Sequence, residues 1–298
     1  MPRFSIQGII PTFTHAENRE KQQPMNIPFY KYHGAGNDFV MIDARTKPFD
    51  PRQELVERMC HRRYGIGADG LIILAGDADP EVDFSMDYFN SDGRRSTMCG
   101  NGGRCIAALA RDLGIGTEQG VRFRAPDGLH QAFFEGSLVR LGMNDVSTVH
   151  LLEKENLPCG EIRPRWVCFL DTGSPHCVVG LDDGLETINL VRWGRAIRYG
   201  AMFAHRGGTN VDFVQVSAEG TVQLRTYERG VEDETLACGT GAVASAIAAH
   251  RMGETTGESV PVKALGGDLT VDFHAVPQGG YTQVWLTGGA QRVFSGTF

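Results

Sequence analysis

The feature that most constrains the fold of this chain is an internal repeat of fifteen residues. Segments 88–102 (YFNSDGRRSTMCGNG) and 227–241 (YERGVEDETLACGTG) both begin with Tyr and end in Cys-Gly-x-Gly. Each runs into an Ala-rich segment that ends at a glycine, Gly114 or Gly253, 15 residues after its cysteine. Glycine is favoured just past a helix C-terminus because it adopts the left-handed conformation without strain. The repeat therefore predicts two similar halves, each with a helix that begins at a cysteine.

A second, looser echo supports two halves. Segments 34–40 (GAGNDFV) and 207–214 (GGTNVDFV) each contain a Gly-rich turn, an Asn and the start of a strand. The two repeated cysteines are 139 residues apart, about half of the chain beyond residue 24. We predict domains at 25–144 and 145–287, with a final strand at about 288–298 that returns to the first half.

Composition limits the classes of function. The chain has 298 residues and a net charge of −7, which disfavours nucleic acid and anionic membranes as partners. No apolar run approaches the ~20 residues that span a bilayer. Residues 1–24 are expected to be a disordered tail, because Pro11 interrupts the only apolar pair and Met25 precedes the first predicted strand.

The cysteines indicate a reducing compartment. Their number is seven, no Cys-x-x-Cys pair occurs, and no export signal is visible, so neither a disulfide framework nor a zinc site is expected. We therefore expect a cytoplasmic protein with free thiols. Cysteines other than those of the repeat are expected to fill the core.

Period-2 and continuous apolar runs dominate the chain and predict a strand-rich fold. The predicted strands are FYKYH, DFVMID, GLIIL, VDFSMDYF, VRFRA, LVRLGM, VCFLDT, HCVVGL, VDFVQV, TVQLRTY, LTVDF and TQVWLTG. Helices are predicted at about 51–62, 101–113, 189–199 and 240–252. The order lacks the regular alternation of a doubly wound fold, so the fold class is α/β of the strand-rich α+β kind.

A cysteine at a helix N-terminus faces unsatisfied N–H groups and the positive end of the macrodipole. We therefore expect the pKa of each repeated thiol to be lowered toward neutrality. Two such sites facing each other predict a cleft with a thiol on each face. That arrangement suits the removal of a proton from one face of a carbon and its return on the other, next to a carboxylate held by both helix ends. No metal or organic cofactor is needed for this chemistry.

Five ordered motifs then resemble diaminopimelate epimerase over essentially the whole chain from Met25 to Phe298. They are the two cysteine segments, HGAGNDF (33–39), RRYGIGADG (62–70) and TGSPHCV (172–178). The resemblance implies two pseudo-symmetric domains, each a barrel-like sheet wrapped around a central helix, with the site in the cleft between them. It also implies a homodimer. Proline racemase, hydroxyproline epimerase and the phenazine-pathway isomerase share that fold, but the racemases carry His where this chain has Asn101.

The resemblance also assigns roles to residues. Cys99 and Cys238 are the acid–base pair, one for each face of the stereocentre, and His176 and Glu228 tune the thiols and orient the α-amino group. The residues expected to hold the α-carboxylate are Gly100, Asn101, Gly239 and Thr240. The residues expected at the distal end of the substrate are Asn37, Asn90, Asn210, Arg229 and Ser174.

Two departures from the family pattern affect the distal end. Many members have Gln where this chain has Gly70 and Asn where it has Ser174. The acidic run 232–234 is expected to be a solvated turn that joins the site residues on either side.

Three hypotheses follow from these patterns. The first is a cofactor-independent epimerase that acts on the small molecule diaminopimelate. The second is a relative that acts on proline-like or other amino acids. The third is a two-lobed redox or structural protein in which Cys99 and Cys238 form a regulatory disulfide. Replacing either cysteine by Ser separates the first from the third, and a comparison of diaminopimelate with proline separates the first from the second.

Overall fold

A computed structural model of the chain describes residues 26–96, 98–118, 120–158 and 160–298. The predicted N-terminal tail lies outside the described residues. So does Cys159, one of the cysteines predicted to fill the core. Within the described ranges, no helix is both long and apolar enough to cross a membrane.

In the first half of the chain, more of the described residues lie in strands than in helices. They are β1 Pro28–Gly34, β2 Asn37–Asp43, β3 Gly70–Ala75, β4 Phe84–Asn90, β5 Arg95–Ser96, β6 Gly120–Ala125, β7 Gly128–Glu135, β8 Leu138–Gly142 and β9 His150–Leu151. Its helices are α1 Gln53–Cys60, α2 Gly100–Asp112 and a short 3-10 turn, Lys154–Asn156.

The second half repeats this composition. Its strands are β10 Trp166–Asp171, β11 Pro175–Gly180, β12 Asn210–Val216, β13 Val222–Glu228, β14 Asp233–Thr235, β15 Ser259–Ala264, β16 Gly267–Ala275, β17 Tyr281–Gly289 and β18 Gln291–Thr297. Its helices are α3 Leu190–Arg198, α4 Ala201–Ala204 and α5 Gly239–Arg251. The strand-rich α+β prediction is confirmed, and every run predicted as a strand lies on one.

The described strands form one mixed sheet with an internal two-fold pattern. Hydrogen bonding runs from β8 through β7, β6, β4, β3, β2 and β1 to β18, and from β17 through β16, β15, β13, β12, β11 and β10 to β9. Outward from the antiparallel β8–β17 pair, parallel and antiparallel pairings follow in the same order on both sides. Because the β8–β17 pair joins the two groups of strands into one sheet, the strand pairing does not test the predicted domain boundaries, which stay predictions.

The two-fold pattern corrects the alignment of the looser echo. Asn37 opens β2, whereas Asn210 opens β12, and the equivalent of β12 is β3. The two asparagines therefore lie on non-equivalent strands. The residue that pairs with Asn210 across the parallel ladder is His176, which lies on β11, the equivalent of β2.

The matched tyrosines of the repeat are also not equivalent. Tyr88 lies in the apolar core around α2, whereas Tyr227 lies in the core under α3. The structural equivalent of Tyr227 is Phe89, which packs in the core under α1. A shift of one residue along a strand moves a side chain to the opposite face. An additional residue between β13 and Cys238 restores the register before the helices begin.

Each half is built around one helix buried on all sides. Helix α2 is buried continuously from Gly100 to Ala110, and α5 is buried from Gly241 to Ala249. Small residues on these helices let strands approach from every direction. Both helices end where the sequence predicts, at Gly114 with φ +70° and Gly253 with φ +74°.

The N-termini of α2 and α5 meet at a contact between two glycines. A Cβ atom added to Gly100 would lie 3.3 Å from the Cα of Gly239 and 3.2 Å from Leu286 Cδ2. A Cβ atom added to Gly239 would lie 3.1 Å from the Cα of Gly100. Neither position has room for a side chain unless the two helices separate. This contact brings the two repeated cysteines to one place.

We expect Gly100→Ala to push the helix ends apart. Overpacking of this kind costs about 1–3 kcal/mol of unfolding free energy, measurable by urea denaturation monitored by circular dichroism. Gly76→Ala is the matched control, because an added Cβ there has no atom within 4 Å. Equal stability of the two variants would contradict a tight contact between the helices.

Candidate active site

A cleft of about 630 Å³ opens where the two helices meet. Most of the predicted site residues line its wall, and two lie fully buried behind it. The lining residues among those predicted are Asn37, Asn90, Cys99, Gly100, Ser174, Asn210, Glu228, Arg229, Cys238, Gly239 and Thr240. The two buried residues are Asn101 and His176.

Cys99 is the N-cap residue of α2, as predicted. Its Sγ lies 3.6 Å from Asn37 Oδ1, in donating geometry. The Asn37 side chain is oriented in turn by Asp69, whose Oδ2 accepts from Asn37 Nδ2 at 2.7 Å. A residue of β2 thus orients the first thiol.

Cys238 is the N-cap residue of α5, and a chain of hydrogen bonds runs behind it. Its Sγ lies 3.4 Å from Thr240 Oγ1, which lies 3.0 Å from His176 Nε2. His176 Nδ1 is 2.6 Å from Asp212 Oδ2, and both side chains are fully buried. The Gly241 N–H donates to the sulfur at 3.4 Å. A thiol, a hydroxyl, an imidazole and a carboxylate therefore form one connected chain.

The sequence interpretation missed Asp212, which it placed in an apolar strand. Asp212 also accepts from Thr226 Oγ1 at 2.7 Å, so both its carboxylate oxygens have partners. A Cβ added to Gly241 would lie 2.6 Å from Asp212 Oδ1, so only glycine admits the carboxylate beneath the helix. The signal available in the sequence was an acid in the middle of the buried run VDFVQV.

The pKa of both thiols is raised, which corrects the sequence-based expectation. Burial raises the pKa of Cys99 to about 11, and the nearby Glu228 carboxylate adds to the increase. N–H groups at the helix start oppose it but are outweighed. Burial likewise raises the pKa of Cys238 well above its usual value, with Glu228 and Asp212 contributing in the same direction. Desolvation of a thiolate therefore exceeds the effect of the helix N-terminus.

Asn101 joins the two halves, which the resemblance did not indicate. Its Nδ2 donates to the backbone oxygen of Ala237 at 2.9 Å, and its Oδ1 accepts from Arg104 at 2.9 Å. Its side chain is fully buried and is therefore engaged within the protein. The Thr240 hydroxyl is engaged in the same way, with His176 and Cys238. At both positions the side chain is therefore occupied, and only the backbone N–H is left for the expected contact with a carboxylate.

Asn210 organises the predicted distal end of the cleft. Its Oδ1 accepts from the Arg229 backbone N–H at 2.8 Å, and its Nδ2 donates to Ser174 Oγ at 2.8 Å. The guanidinium of Arg229 is exposed and forms no ion pair with any described residue. A fork of N–H donors at the cleft wall is thus available to an incoming carboxylate.

Gly70 leaves no gap in this wall, because Tyr88 fills the space. A Cβ added to Gly70 would lie 2.5 Å from the Tyr88 ring and 3.1 Å from its hydroxyl. Tyr88 lines the cleft and was not identified from the sequence. Burial raises its pKa well above the usual value, so the hydroxyl stays a donor at neutral pH.

An ion-pair network at the cleft rim was also missed. Arg62 lines the cleft and forms ion pairs with Asp38 at 2.8 Å and Asp69 at 2.6 Å. Lys31, which is buried, pairs with Asp38 at 2.7 Å. Burial alone would raise the pKa of Asp38, but hydrogen bonds from Arg62 and Lys31 lower it to about 2. The ion pair with Arg62 fixes the position of the Asp69 carboxylate, which in turn holds the Asn37 side chain.

The acidic run 232–234 is not a solvated turn. Glu232 accepts hydrogen bonds from Arg198 Nε at 2.8 Å, Tyr199 Oη at 2.8 Å and Tyr227 Oη at 3.1 Å. Glu234 forms a two-point ion pair with Arg225 at 2.7 and 2.8 Å. These contacts fix the loop that carries Arg229 to the strands and helix below it.

Glu228 closes the cleft from β13. Burial raises its pKa, and the carboxylates of Asp212 and Asp69 add to the increase. Within the described ranges, no three His, Cys, Asp or Glu side chains are grouped to hold a metal ion.

Comparisons with known proteins agree on one family. The family model described as "Diaminopimelate epimerase" matches residues 29–147 and 168–293. A diaminopimelate epimerase of Flavobacterium psychrophilum is 43% identical over 274 residues, which cover 91% of this chain and all of the relative. One from Chlorobaculum tepidum is 41% identical over 268 residues, 89% of this chain and 98% of the relative.

Solved structures show the same fold at low identity. A phenazine biosynthesis protein of the PhzF family from Bacillus anthracis has a TM-score of 0.72 at 12% identity, covering 92% of this chain and 99% of that one. A hydroxyproline epimerase from Agrobacterium vitis has a TM-score of 0.67 at 17% identity, covering 93% of each chain. These likenesses support the fold alone.

We expect Glu232→Gln to destabilise the protein in a pH-dependent way. Burial would raise the pKa of Glu232, but hydrogen bonds from Arg198, Tyr199 and Tyr227 lower it to about 2 from an ordinary 4.5. The stabilisation is therefore present above pH 4.5 and lost as the pH falls through about 2. At pH 7 the variant should lose about 1 kcal/mol of unfolding free energy, allowing for solvent screening.

Urea denaturation at several pH values checks this prediction. The difference between the wild-type protein and the variant should shrink toward low pH. Asp233→Asn in the same loop is the matched control and should show little effect at any pH. A loss that is independent of pH would contradict the assigned role of the carboxylate.

Proposed function

The chain belongs to the diaminopimelate epimerase family, and we propose that Cys99 and Cys238 are the acid–base pair of a cofactor-independent epimerase. The reaction interconverts the LL and meso isomers of diaminopimelate, a precursor of lysine and peptidoglycan. The observation that carries this proposal is the position of both cysteines as N-caps of two helices whose first glycines touch.

In the proposed mechanism, the two cysteines act on opposite faces of one carbon. The thiolate of one cysteine takes the proton of the α-carbon, and the thiol of the other returns a proton on the opposite face. The α-carboxylate lies against both helix starts, where the backbone N–H groups of Gly100, Asn101, Gly239 and Thr240 precede the first intrahelical hydrogen bonds. Those N–H groups stabilise the negative charge that develops on the carboxylate as the proton leaves.

The chain behind Cys238 orients the second thiol. We assign hydrogen-bond directions so that the thiol donates to Thr240 Oγ1, the Thr240 hydroxyl donates to His176 Nε2, and Nδ1–H donates to Asp212. His176 therefore acts through Thr240 and does not reach the cleft itself. Glu228, at the cleft wall, is placed to accept a hydrogen bond from the α-ammonium group of the substrate.

The far end of the substrate is a second amino-carboxylate group. Arg229 is the partner for its carboxylate, with Asn210 and, through it, Ser174 bound to the Arg229 backbone; Asn90 also lines the cleft. Asn37 accepts from the Cys99 thiol and orients it directly. These contacts hold the non-reacting stereocentre still while the other one is inverted.

We expect Cys99→Ser and Cys238→Ser each to lower kcat by about 10²–10⁴-fold, because each removes one acid–base group. The measurement is the interconversion of LL- and meso-diaminopimelate under reducing conditions, with solvent deuterium incorporated at one α-carbon. Cys60→Ala is the matched control, because Cys60 is a buried thiol in α1 outside the cleft.

Two outcomes would contradict the proposal. Retention of full activity in either Ser variant would favour a redox or structural role for the cysteines. Racemisation of proline without any turnover of diaminopimelate would favour the proline racemase type of activity instead.

We further propose that the enzyme is a cytoplasmic homodimer. Among the described strands, β18 pairs with β1 alone and leaves Val293 and Phe294 about half exposed. An unpaired apolar edge of this kind is normally covered in a stable protein. Sedimentation or light scattering of the wild-type protein should give twice the chain mass of 32.6 kDa. Replacement of Phe294 by Asp should give the monomer, and a wild-type monomer would refute the proposal.

A further inference from the structure

One buried charge takes no part in the mechanism described so far. Arg104, in the third position after Asn101 on α2, is fully buried, and its Nη2 donates to Asn101 Oδ1 at 2.9 Å. Its Nε and Nη1 have no hydrogen-bond partner, and no carboxylate of the described residues lies within ion-pair distance. A buried guanidinium is normally paired with an anion, because removing it from water costs several kcal/mol.

The surrounding backbone is shaped to hold this group. A Cβ added to Gly288 would lie 3.1 Å from Arg104 Nε, and one added to Gly34 would lie 3.4 Å from Nη2. Glycines from β17 and β1 therefore close around the guanidinium on two sides. The guanidinium of Arg104 fills this space closely, so its burial does not result from loose packing.

The internal two-fold shows that this cation belongs to one half only. Cys99 and Cys238 occupy matching positions, and the residue that matches Arg104 on α5 is Val243, five residues after its cysteine. Val243 is fully buried in the apolar core around α5. The first half thus has a positive charge where the second half has an isopropyl group.

The second half has the opposite charge at another matched pair. A Cβ added to Gly102 would lie 3.0 Å from Ile72 Cδ1, and one added to the equivalent Gly241 would lie 2.6 Å from Asp212 Oδ1. The helix start that carries Cys99 therefore rests on an isoleucine, and the one that carries Cys238 rests on a carboxylate. The backbone is duplicated, but the charges are not.

The remaining groups near the thiols do not cancel this difference. The Asp69 carboxylate, which holds Asn37 behind Cys99, is paired with Arg62 at 2.6 Å. Glu228 faces both cysteines and raises the pKa of each. Tyr88 and Cys105 also lie near Cys99, and burial raises the pKa of both, to about 12 for Cys105, so neither is charged at neutral pH. His176 lies between Cys238 and its carboxylate.

We infer that Cys99 loses its proton at a lower pH than Cys238, and that Arg104 is the resident counter-cation of the Cys99 thiolate. The proton passes to solvent or to a bound base, and the guanidinium gains the anion that it lacks in the thiol form. The guanidinium is connected to Cys99 by side-chain hydrogen bonds: it donates to Asn101, whose Nδ2 lies 3.4 Å from the Asn37 Oδ1 that accepts from the Cys99 thiol. Arg104 is a positioning residue, since it acts through Asn101 and does not line the cleft. The inference rests on the proposed function only in taking these two thiols as the acid–base pair.

The direction of the pKa shifts agrees with this order. Burial raises the pKa of Cys99 to about 11, and the backbone N–H groups of Gly102 and Asn101 oppose the rise together with Arg104. Burial raises the pKa of Cys238 well above its usual value, and Asp212 adds to the rise.

The pH dependence of alkylation tests the order. Reduced, substrate-free enzyme is treated with iodoacetamide at a series of pH values, and each cysteine peptide is quantified by mass spectrometry. The pH at the inflection of the alkylation rate reports the ionisation of each thiol. Accessibility of the sulfur changes the size of the rate but not the pH of the inflection. We expect the inflection of Cys99 to lie below that of Cys238.

Two matched pairs of variants identify the charges responsible. Arg104→Met should raise the inflection of Cys99 by about one pH unit or more, which is a tenfold slower alkylation below it. Arg104→Lys should keep most of the wild-type position. Asp212→Asn should lower the inflection of Cys238, and Arg111→Met, at the exposed end of α2, should move neither.

Three results would overturn the inference. The first is an inflection of Cys238 below that of Cys99 in the wild-type enzyme. The second is a folded Arg104→Met variant whose melting temperature changes while the Cys99 inflection does not, as a purely structural role predicts. The third applies if Arg104→Met fails to fold: it is an Asp212→Asn variant in which the inflection of Cys238 is unchanged. Alkylation needs no turnover, so absence of epimerase activity would refute the proposed function and leave this order standing.

Discussion

The contact between Gly100 and Gly239 is the constraint on which the cleft depends. Two helix N-termini carry like partial charges, so their approach is unfavourable on electrostatic grounds alone. The hydrogen bond from Asn101 to the backbone of Ala237 and the burial of both helices hold the ends together. An anion bound beside the contact would remove the repulsion. The same packing that joins the halves therefore creates a site for a carboxylate and places a thiol on either side of it.

Duplication of the backbone has not produced two equal sites. Both cysteines cap their helices, and both helices end at a left-handed glycine. The groups behind the thiols differ: Asn37 contacts Cys99, whereas the equivalent strand supplies His176 behind Cys238. Charged side chains change at matched positions without disturbing the strand pairing, because glycines leave room for them: Gly241 of α5 next to Asp212, and Gly34 of β1 and Gly288 of β17 around Arg104.

The sequence predicts the parts of this fold that depend on periodicity and chain spacing. Alternating apolar runs identified the strands that have one buried face, and the repeat located both helix starts. Strand β15 was missed because Pro261 interrupts its pattern. Strand β18, by contrast, lies within the final strand predicted at about 288–298 and pairs with β1 of the first half. The strand register could not be predicted from the sequence either. The two tyrosines of the repeat occupy matching sequence positions but pack in different cores, because a shift of one residue moves a side chain to the opposite face of the strand.

The site was predictable where a residue type is distinctive, and not where its function depends on burial. The cysteine pair and Arg229, which line the cleft, were predicted from the repeat and the family motifs. Asp212 and Arg104 were not, because a single charged residue in an apolar segment gives no indication of its partner. The sign of the thiol pKa shift was wrong for the same reason: a helix start is visible in sequence, whereas the desolvation that outweighs it is a property of the assembled cleft.

The raised thiol pKa values give the distal contacts a part in the chemistry. A thiol with a pKa of about 11 requires roughly 5 kcal/mol to ionise at pH 7. Interactions at the reacting carbon cannot supply this without also binding the ground state tightly. Binding at the remote end can, because in the proposed mechanism Arg229 holds a group that does not react, and Arg229 is anchored through Asn210 to the strand next to His176. In that mechanism the substrate would bring its ammonium group beside the thiol, and the cation would favour the thiolate at the moment when a base is needed.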